Sequence, residues 1–536
     1  MSPDGRQLAY VATTEGQSRL WVRPLDGTAR MLPGTEGATF PFWAPDGSAI
    51  GFFAEGKLKQ VDLAGGMPQV LADAPDGRGG TWSDDGVILF TPGNVAYAGT
   101  SVVMRVSING GTPTPVTRPA AGEGSHRWPQ FLPDGRRFIY FSTLGVPDAQ
   151  GVYLASLDGG EPRRVLASDT PGIFVPPDRL MVVRADTLMA APFDPDRGTV
   201  RGEFEPVAQP VGRNDGVLAS AFSASPDVLA YRAAGGTQRR QLVWLDRGGK
   251  PVARIGVPDE NSLANPALDP AGRRIAVGRT VLGNWDIWLI DASRGIPTRI
   301  TFHPAVEAPA LWSPDGGRLV FSSLSRRAPG ELYEKAASGA GDDQLVAADA
   351  GIPLSWSSDG RFVLYSRSNS ATGIDLWALP MTGERKPMPI VTTPADQPGG
   401  EFSPDSRWLA YESNESGRFE VYVQPFPAGG GKWQVSNGGG RQPRWGRDGK
   451  ELYCVAADAR LMAVPLATSP DGKTLDFGVP APLFPTRLAS GANVVQGRPQ
   501  YAVGPDGRFL LNTVVEDTAA SPITVVVHWM QGLQAR

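Results

Sequence analysis

The sequence predicts an all-β protein assembled from a repeated four-stranded unit, and three observations support this fold class. Glycine and proline supply 66 and 50 of the 536 residues, so the chain is rich in turn formers. Hydrophobic residues make up 41% and aromatic residues 9%, which is enough apolar material for a buried core. A short motif also recurs twelve times, at a spacing that suits four short strands.

The repeated motif is an aromatic or small residue, Ser-Pro-Asp-Gly or a variant, a basic residue, and an apolar strand that often ends in an aromatic residue. Successive Asp positions lie between 39 and 58 residues apart, and most intervals are in the low to middle forties. The copies are SPDGRQLAY (2–10), WAPDGSAIGFF (43–53), WSDDGVILF (82–90), FLPDGRRFIYF (131–141), FVPPDRLMVV (174–183), SASPDVLAY (223–231), LDPAGRRIAV (268–277), WSPDGGRLVF (312–321), WSSDGRFVLY (356–365), FSPDSRWLAY (402–411), WGRDGKELYC (445–454) and VGPDGRFLLN (503–512).

Each copy predicts the same order of elements. A strand enters with a bulky residue such as Trp312, and Asp-Gly then forms a hairpin turn in which Asp caps the turn and Gly takes positive φ. A second strand alternates apolar and polar residues, as in residues 361–365. A third strand reads DIWLID (286–291), DLWALP (375–380) or EVYVQP (420–425), and a short fourth strand precedes the next copy.

A repeat of four strands in about forty residues is the period of a β-propeller blade. Propellers usually have ~4 to 8 blades, so twelve copies predict two propellers in tandem, most simply six-bladed. Copies five to seven are weak and residues 232–240 are polar and glycine-rich. We therefore expect a first propeller at 1–240 (blades 1–6) and a second at 241–536 (blades 7–12), with a five-plus-seven division or one larger ring as alternatives.

The repeat is out of phase at both ends of the sequence. The first copy lacks its leading strand, and the twelfth closes on a strand of the third type, ITVVVHWM (523–530). Propellers normally close by pairing strands from the two termini, which removes exposed edges. The first blade is thus expected to be incomplete, with an upstream segment supplying closing strands.

Charge and composition narrow the function classes. The chain carries 51 basic and 55 acidic residues without a Lys/Arg run, so a nucleic-acid partner is not expected. One cysteine, Cys454, excludes an internal disulfide and a Cys-based zinc site, and it is interpreted as a strand filler. The three histidines lie far apart, so neither a metal nor a cofactor is predicted. No apolar run reaches the ~18 residues of a membrane helix, and no signal peptide is found.

Catalytic motifs are missing from the sequence. There is no G-x-S-x-G nucleophile elbow, and the triplet Asp476-Phe477-Gly478 stands without the other kinase motifs. The twelve motif Asp positions are interpreted as structural, because catalysis needs a few converging groups rather than one per blade. No catalytic residue is predicted.

The repeats resemble the TolB-like, WD40-like (PD40) β-propeller family. The segments WVRPLDG (21–27), HRWPQFLPDGRRFIYF (126–141), APFDPDRG (191–198), the run 413–445 and PITVVVHWMQGL (522–533) are most similar to the C-terminal propeller region of bacterial Hanks-type serine/threonine kinases. In that family a kinase domain and a membrane span precede the propeller. The resemblance implies a sensory or scaffolding ectodomain with a periplasmic location, or a stand-alone TolB-type relative.

Binding residues are predicted where the innermost strands begin, at the mouth of each channel. Mixed charges and amides there suit a polar ligand or a peptide terminus, and the alternative interpretation is ordinary solvated loops. The predicted residues are Arg78, His126, Arg127, Trp128 and Asp215 in the first half, and Glu260, Asn261, Glu307, Asp396, Gln397, Arg441 and Arg498 in the second.

The function predicted from the sequence is recognition of a protein, a peptide or a small polar ligand by a non-catalytic sensor domain, with a kinase attached upstream. Two alternatives remain: a TolB-like envelope hub that docks partner proteins, and a propeller hydrolase or lyase whose site is assembled across blades.

Overall fold

The protein is described from a computed structural model of the 536-residue chain. The residues that the structure describes are 1–14, 17–75, 77–93, 101–120, 123–143, 147–214, 218–233, 239–261, 263–281, 284–323, 330–369, 372–427, 431–469, 474–488, 499–515 and 522–534.

The chain is all-β and divides into two compact units. The first comprises Met1–Asn94, Thr100–Gly236 and Ala519–Arg536, and the second comprises Thr237–Thr518. Each described copy of the motif lies in a small antiparallel sheet, and most of these sheets have four strands. We number the sheets as blades 1–12, in the order of the motif copies.

The first unit contains blades 1–6. Its strands are, in blade 1, β1 (Gln7–Thr14), β2 (Gln17–Pro24) and β3 (Arg30–Met31); in blade 2, β4 (Thr39–Trp43), β5 (Ala49–Ala54), β6 (Lys57–Asp62) and β7 (Gln69–Asp73); in blade 3, β8 (Gly80–Trp82), β9 (Val87–Phe90), β10 (Met104–Ser107) and β11 (Thr114–Pro115); in blade 4, β12 (Ser125–Phe131), β13 (Arg137–Thr143), β14 (Gly151–Ser156) and β15 (Arg163–Leu166); in blade 5, β16 (Ile173–Val175), β17 (Arg179–Arg184), β18 (Thr187–Asp194), β19 (Thr199–Val200) and β20 (Glu205–Ala208); the separate pair β21 (Arg213–Asn214) and β22 (Ala219–Ser220); and in blade 6, β23 (Phe222–Ala224) and β24 (Val228–Arg232). A 3₁₀ turn covers Pro147–Ala149.

The second unit contains blades 7–12. Its strands are β25 (Arg240–Leu245) and β26 (Pro251–Asp259), which belong to blade 12; in blade 7, β27 (Ala264–Leu268), β28 (Arg274–Val281), β29 (Asn284–Asp291) and β30 (Pro297–Arg299); in blade 8, β31 (Glu307–Trp312), β32 (Arg318–Ser323), β33 (Glu331–Ala336) and β34 (Gln344–Ala347); in blade 9, β35 (Ile352–Trp356), β36 (Phe362–Asn369), β37 (Gly373–Pro380) and β38 (Met388–Val391); in blade 10, β39 (Gly400–Phe402), β40 (Trp408–Ser413), β41 (Glu420–Pro425) and β42 (Trp433–Gln434); in blade 11, β43 (Gly440–Trp445), β44 (Glu451–Ala456), β45 (Arg460–Thr468), β46 (Leu475–Phe477) and β47 (Ala481–Pro485); and in blade 12, β48 (Tyr501–Val503) and β49 (Phe509–Val514).

The first strands of blades 7–12 form a closed ring. Strands β27, β31, β35, β39, β43 and β48 each contact the next, and β48 contacts β27 again. These are therefore the innermost strands of a six-bladed propeller, and they border its central channel. In the first unit, β4 contacts β8 and β8 contacts β12 in the same manner.

The motif forms the turn that the sequence predicts. In blade 8 the Gly316 amide donates to the Ser313 carbonyl at 2.8 Å, the Gly317 amide donates to Asp315 Oδ1 at 2.9 Å, and Gly316 has a φ of +69°. The Ser313 hydroxyl, which donates to the Asp315 carboxylate, lowers the pKa of that carboxyl below its usual range. The motif Asp is occupied in holding the turn, as expected for a structural residue.

Neighbouring blades are joined by a recurrent hydrogen bond. The residue before the motif aromatic in one blade accepts the backbone amide of the motif aromatic in the next. Phe131 donates to Thr81 Oγ1 at 3.2 Å, Phe402 donates to Ser355 Oγ at 3.1 Å, and Trp445 donates to Glu401 Oε2 at 2.7 Å. Apolar side chains of adjacent sheets fill the space between them, as where Ile287 of blade 7 packs with Trp312 and Phe321 of blade 8.

The C-terminal strand requires a correction. The order of the repeats predicts that residues 523–530 belong to the twelfth blade and to the second propeller. In the structure, β50 (Ile523–Val527) pairs with β24 in blade 6, and it belongs to the first unit. The third and fourth positions of blade 12 are filled instead by β25 and β26, because β25 pairs with β49. Apolar alternation identifies a strand but does not say which sheet edge receives it.

Blade 6 is further stabilised by the residues after β50. Trp529 is only 5% exposed, packs with Phe222 and Leu229, and donates from Nε1 to the Ser225 carbonyl at 2.9 Å. A four-residue helix, α1 (Gln531–Gln534), follows. Throughout the described ranges, no helix combines the length and apolar character needed to cross a bilayer.

Candidate binding site

The innermost strands of both units bulge at equivalent positions. The pairing with the second strand shifts between Thr39 and Phe42, between Arg127 and Gln130, between Ala264 and Ala267, and between Arg441 and Arg444. A bulge adds a residue to one strand and redirects its side chain. The residues with left-handed backbone at these bulges are Phe40, Trp128, Asn265 and Gln442, with φ between +48° and +57°.

In the first unit the bulge positions carry aromatic rings. The Phe40 and Trp128 rings meet edge to face with centroids 5.0 Å apart, although they belong to blades 2 and 4. The intervening blade 3 presents Gly79, where a Cβ would lie 2.5 Å from the Trp128 ring. The Arg78 guanidinium lies 6.0 Å from the Phe40 ring centroid, and the Trp128 amide donates to the Arg78 carbonyl at 3.0 Å. The structure thus brings the predicted residues Arg78 and Trp128 together.

His126 is placed in the interior of the first unit. Its ring is fully buried, with Nδ1 2.9 Å from Thr117 Oγ1 and Nε2 3.2 Å from Glu123 Oε2. Burial lowers the pKa of His126 below its usual range, and the neighbouring Glu123 opposes that shift. Its predicted neighbour Arg127 is half-buried and donates from Nε to Ser125 Oγ at 3.1 Å.

Three further predicted residues of the second unit are the adjacent Glu260 and Asn261, and Glu307 at the start of another strand. Glu260 is exposed, and Asn261 donates from its amide and from Nδ2 to Asp259 Oδ1, at 2.7 and 3.0 Å. Glu307 is fully buried at the start of β31. The remaining predicted residues Asp215 and Arg498 lie outside the described residues.

Asp396 and Gln397 are fixed at the entry to blade 10. Asp396 accepts the Ile374 amide at Oδ1, at 3.0 Å, and the Asn414 side chain at Oδ2, at 3.3 Å. Gln397 is fully buried and donates from Nε2 to Thr393 Oγ1 at 2.8 Å. Burial raises the pKa of Asp396, and the positive charge of Arg441 opposes the shift.

Arg441 is the best-positioned of the predicted residues. It donates from Nε to Glu412 Oε2 at 2.8 Å, and its guanidinium lies 4.1 Å from the Phe419 ring centroid. The Arg441 side chain keeps 15% of its surface exposed, whereas that of Glu412 is fully buried. A cation held by both a carboxylate and an aromatic face has little rotamer freedom left to lose on binding.

A second ion pair lies beside it. Arg444 Nη1 is 3.2 Å from Glu401 Oε1, and burial raises the pKa of Glu401 while Arg444 opposes the shift. One member of each pair, Glu412 and Arg444, lines a cavity of about 10 Å³ together with Gln442. We call the set Glu401, Glu412, Arg441, Gln442 and Arg444 the channel cluster.

The channel cluster was only partly accessible to sequence reasoning. Arg441 was predicted, but Gln442, Arg444, Glu401 and Glu412 were not. Two signals point to three of these four residues: RQPR (441–444) is a polar run directly before a motif tryptophan, and Glu412 interrupts the apolar strand WLAYES (408–413).

Among the residues that the structure describes, no group of three or more His, Cys, Asp or Glu side chains has a metal-binding arrangement. Cys454 is 2% exposed in β44, and burial raises the pKa of its thiol to about 12. The thiol therefore stays protonated at neutral pH, which agrees with the interpretation of Cys454 as a strand filler.

No family model matches the sequence, and no curated protein matches it. Solved structures that resemble it include a putative TolB from Agrobacterium tumefaciens (15% identity, TM-score 0.40, covering 52% of this chain and 99% of that one). TolB from Acinetobacter baumannii follows at 14% identity and TM-score 0.33, covering 64% of this chain and 79% of that one. The tricorn protease matches at 14% identity and TM-score 0.32, covering 99% of this chain and 63% of that one.

Proposed function

We propose that the protein is a non-catalytic binding domain in which the second unit recognises a protein, a peptide or a small polar ligand through Asp396, Gln397 and Arg441. The observation that carries the proposal is the fixed, partly exposed Arg441, held between Glu412 and the Phe419 ring. Asp396 is close enough for the charge of Arg441 to influence its pKa.

Because Arg441 and Asp396 carry opposite charges and lie near each other, they favour a ligand that has both a negative and a positive group. A peptide terminus with its neighbouring side chains, or a zwitterionic small molecule, has that character. The side chains are already ordered by internal hydrogen bonds, so binding does not have to order them.

The test is binding of a partner by the full chain with Arg441→Ala, using Arg508→Ala as the matched control. Arg508 also pairs with a carboxylate, Asp506, and lies over an aromatic ring, Trp244, but on a motif turn. We expect Arg441→Ala to weaken the binding of a captured partner at least tenfold and Arg508→Ala to leave the affinity unchanged. Equal effects of the two variants would show that the channel cluster is not the recognition site.

An enzymatic role is tested with the same proteins. Turnover of a peptide or sugar substrate by the purified chain, abolished by Asp396→Asn or Glu412→Gln, would replace this proposal with a propeller hydrolase or lyase.

We further propose that the chain is the extracytoplasmic sensor of a receptor-type serine/threonine kinase, which rests on the resemblance of its repeats to that family. The test is the intact mass of the native protein captured from its source with an antibody to this chain. A mass well above 56.9 kDa, with kinase and membrane-span peptides, is the expected result. A mass of 56.9 kDa would instead favour a free-standing propeller.

A protein-docking hub of TolB type is the second candidate, and one observation favours it. Strand β50 is exposed along its whole length, with Ile523, Val525 and Val527 at 39%, 40% and 58% exposure. An exposed apolar strand can receive a partner's strand. Capture of an envelope protein that is lost in Val525→Lys but kept in Arg441→Ala would support the hub over the sensor.

A further inference from the structure

The cavity beside Glu412 and Gln442 is small, its lining is partly polar, and it is partly open to solvent. Its volume of about 10 Å³ is close to the minimum that holds one water-sized group. Glu412 and Gln442 are 0% and 2% exposed, and Leu354 and Pro443 on its wall are also buried. Arg444 and Pro499 keep some exposed surface, so the cavity is entered on their side.

Two residues that line the cavity each carry a buried polar atom with no hydrogen-bond partner among the described residues: Glu412 Oε1 and Gln442 Nε2. Arg441 occupies the other Glu412 oxygen. The Gln500 amide donates to Gln442 Oε1 at 2.8 Å, which fixes the orientation of the side-chain amide and leaves its NH₂ group on the other side. The wall thus offers one strong acceptor and one donor.

These two atoms select the chemistry of an occupant. An ammonium group has no lone pair for the Gln442 donor, and an ionised carboxylate has no proton for Glu412. A phosphate group is too large for a cavity of about 10 Å³. One oxygen that both donates and accepts satisfies the pair, and only a group of that size fits the cavity. Water and an alcohol hydroxyl meet both conditions.

Leaving the pair unsatisfied costs free energy, because a buried polar group without a partner loses its hydration. Gln442 also has a φ of +57°, a strained conformation for a non-glycine residue. An unpaired acceptor and an unpaired donor on residues of one cavity are features of a site that is completed by a ligand.

We propose that this cavity receives one hydroxyl group of a sugar or polyol, which donates to Glu412 Oε1 and accepts from Gln442 Nε2. Leu354, Pro443 and Pro499 supply apolar walls for the C–H groups that neighbour the hydroxyl. This inference rests on the binding role proposed for the second unit, since it names the ligand group that the unit takes up.

Asn265 provides a matched control for Gln442. It lies at the equivalent bulge of blade 7, with a φ of +55° and 4% exposure, and its Nδ2 also has no partner in the described part of the chain. It does not line the cavity. Gln442→Glu and Asn265→Asp make the same chemical change at equivalent backbone positions.

The experiment is isothermal titration of the full chain with glycerol, myo-inositol, glucose and trehalose, followed by the methyl ethers of any compound that binds. We expect at least one compound to bind with a Kd below 10 mM, a loss of at least tenfold in Gln442→Glu or with the methyl ether, and an unchanged Kd in Asn265→Asp. Circular dichroism and the melting temperature of each variant establish that it is folded.

Absence of binding by all four compounds, or equal affinity in Gln442→Glu, overturns the inference and assigns the cavity to water alone. If partner capture then still depends on Arg441, only this inference fails. If neither a polyol nor a partner depends on the channel cluster, the proposed function fails as well.

Discussion

The two units use the same backbone bulge and fill it with different side chains. In the first, Phe40 and Trp128 meet edge to face at 5.0 Å across Gly79. In the second, the equivalent positions hold Asn265 and Gln442, and Gln442 Oε1 accepts the Gln500 amide at 2.8 Å. One unit therefore has an aromatic pair beside its channel, and the other has carboxamides.

The backbone bulge determines the position of the side chain, and the residue type determines which interactions are made at that position. Aromatic rings at the bulge pack against each other and contribute to stability. Gln442 uses only part of its hydrogen-bonding capacity: its Oε1 accepts the Gln500 amide, and its Nε2 has no partner among the described residues. This free donor beside the cavity is the basis of the hydroxyl site that we propose in the second unit.

The largest effect is expected from two tryptophans of equal burial, one in each unit. Trp529 and Trp445 are both 5% exposed, and their indole groups donate to carbonyls of their own units at 2.9 and 3.0 Å. Replacing either by Ala should cost about 3–5 kcal/mol, since it leaves a large cavity. Hydrogen exchange should accelerate in residues 173–232 for Trp529→Ala and in residues 400–455 for Trp445→Ala.

Because hydrogen exchange is measured residue by residue, it separates the effects on the two units even if the whole chain unfolds in one transition. Faster exchange in the second unit on Trp529→Ala would contradict the assignment of the C-terminal residues to the first unit.

A smaller difference is expected between the bulge residues themselves. Trp128→Ala removes the half-buried ring that contacts Phe40 and should cost about 2–3 kcal/mol. Gln442→Ala removes one hydrogen bond from the Gln500 amide and should cost about 1 kcal/mol. Urea denaturation of the full-length variants measures both values. A larger loss of unfolding free energy in Gln442→Ala than in Trp128→Ala would mean that the side-chain amide of Gln442 stabilises the second unit and does not serve mainly in binding.

Much of this architecture could be predicted from the sequence, because the residues of the motif determine the turn through local interactions. Asp315 and Gly316 define a turn by local hydrogen bonds and by backbone freedom, so the twelve turns and their flanking strands were accessible. The pairing of β50 with β24 was not, since a strand of valines suits any free apolar edge. Which sheet still lacks a strand is a property of the whole fold.

The channel cluster was accessible only in part for a similar reason. Arg441 was found by counting back from the turn, whereas Glu412 comes from the second strand of a neighbouring blade. Its distance from Arg441 depends on how adjacent sheets pack. His126 was expected at a channel mouth, but burial against Thr117 and Tyr140 makes it part of the interior.

The pH dependence of stability should differ in sign between the units. Burial lowers the pKa of His126 in the folded protein. As the pH falls through ~6.5, the unfolded chain therefore binds a proton at this histidine while the folded protein does not. The first unit loses stability from that pH down to the pKa of His126 in the folded state. In the second unit burial raises the pKa values of Asp286, Asp396 and Glu401. Their contribution is largest below the unfolded value of ~4 and is lost as the pH rises through the folded pKa values.

Acidification from pH 7.5 to 5.5 should therefore accelerate hydrogen exchange in the core strands of the first unit, relative to those of the second. The expected loss of stability is at most about 1.4 kcal/mol, because only about one pH unit of this range lies below the unfolded value of ~6.5. In His126→Gln, which does not titrate in this range, the shift of the first unit should vanish. A shift that persists in this variant would assign the effect to other groups.

The smallest effect concerns the hydrogen bonds that join neighbouring blades. Ser355→Ala should cost about 1 kcal/mol because the serine is 8% exposed and its hydroxyl accepts the Phe402 amide at 3.1 Å. Thr81→Ala in the first unit should cost less, since Thr81 is half-buried and its hydrogen bond from Phe131 is 3.2 Å long. If thermal unfolding shows the same loss of stability in both variants, the burial of the accepting residue does not determine how much these hydrogen bonds contribute.

The position of β50 in the chain has a consequence for synthesis on the ribosome. Its partner strand β24 ends at Arg232, and β50 begins at Ile523, nearly three hundred residues later. At a translation rate of ~5–20 residues per second, blade 6 waits roughly fifteen seconds to a minute for its third strand. During that interval the second unit is made in full while the edge of β24 stays unpaired. The earlier unit in the sequence is thus the later one to be completed, and we expect the free edge of β24 to be open to pairing with other chains until β50 has been made.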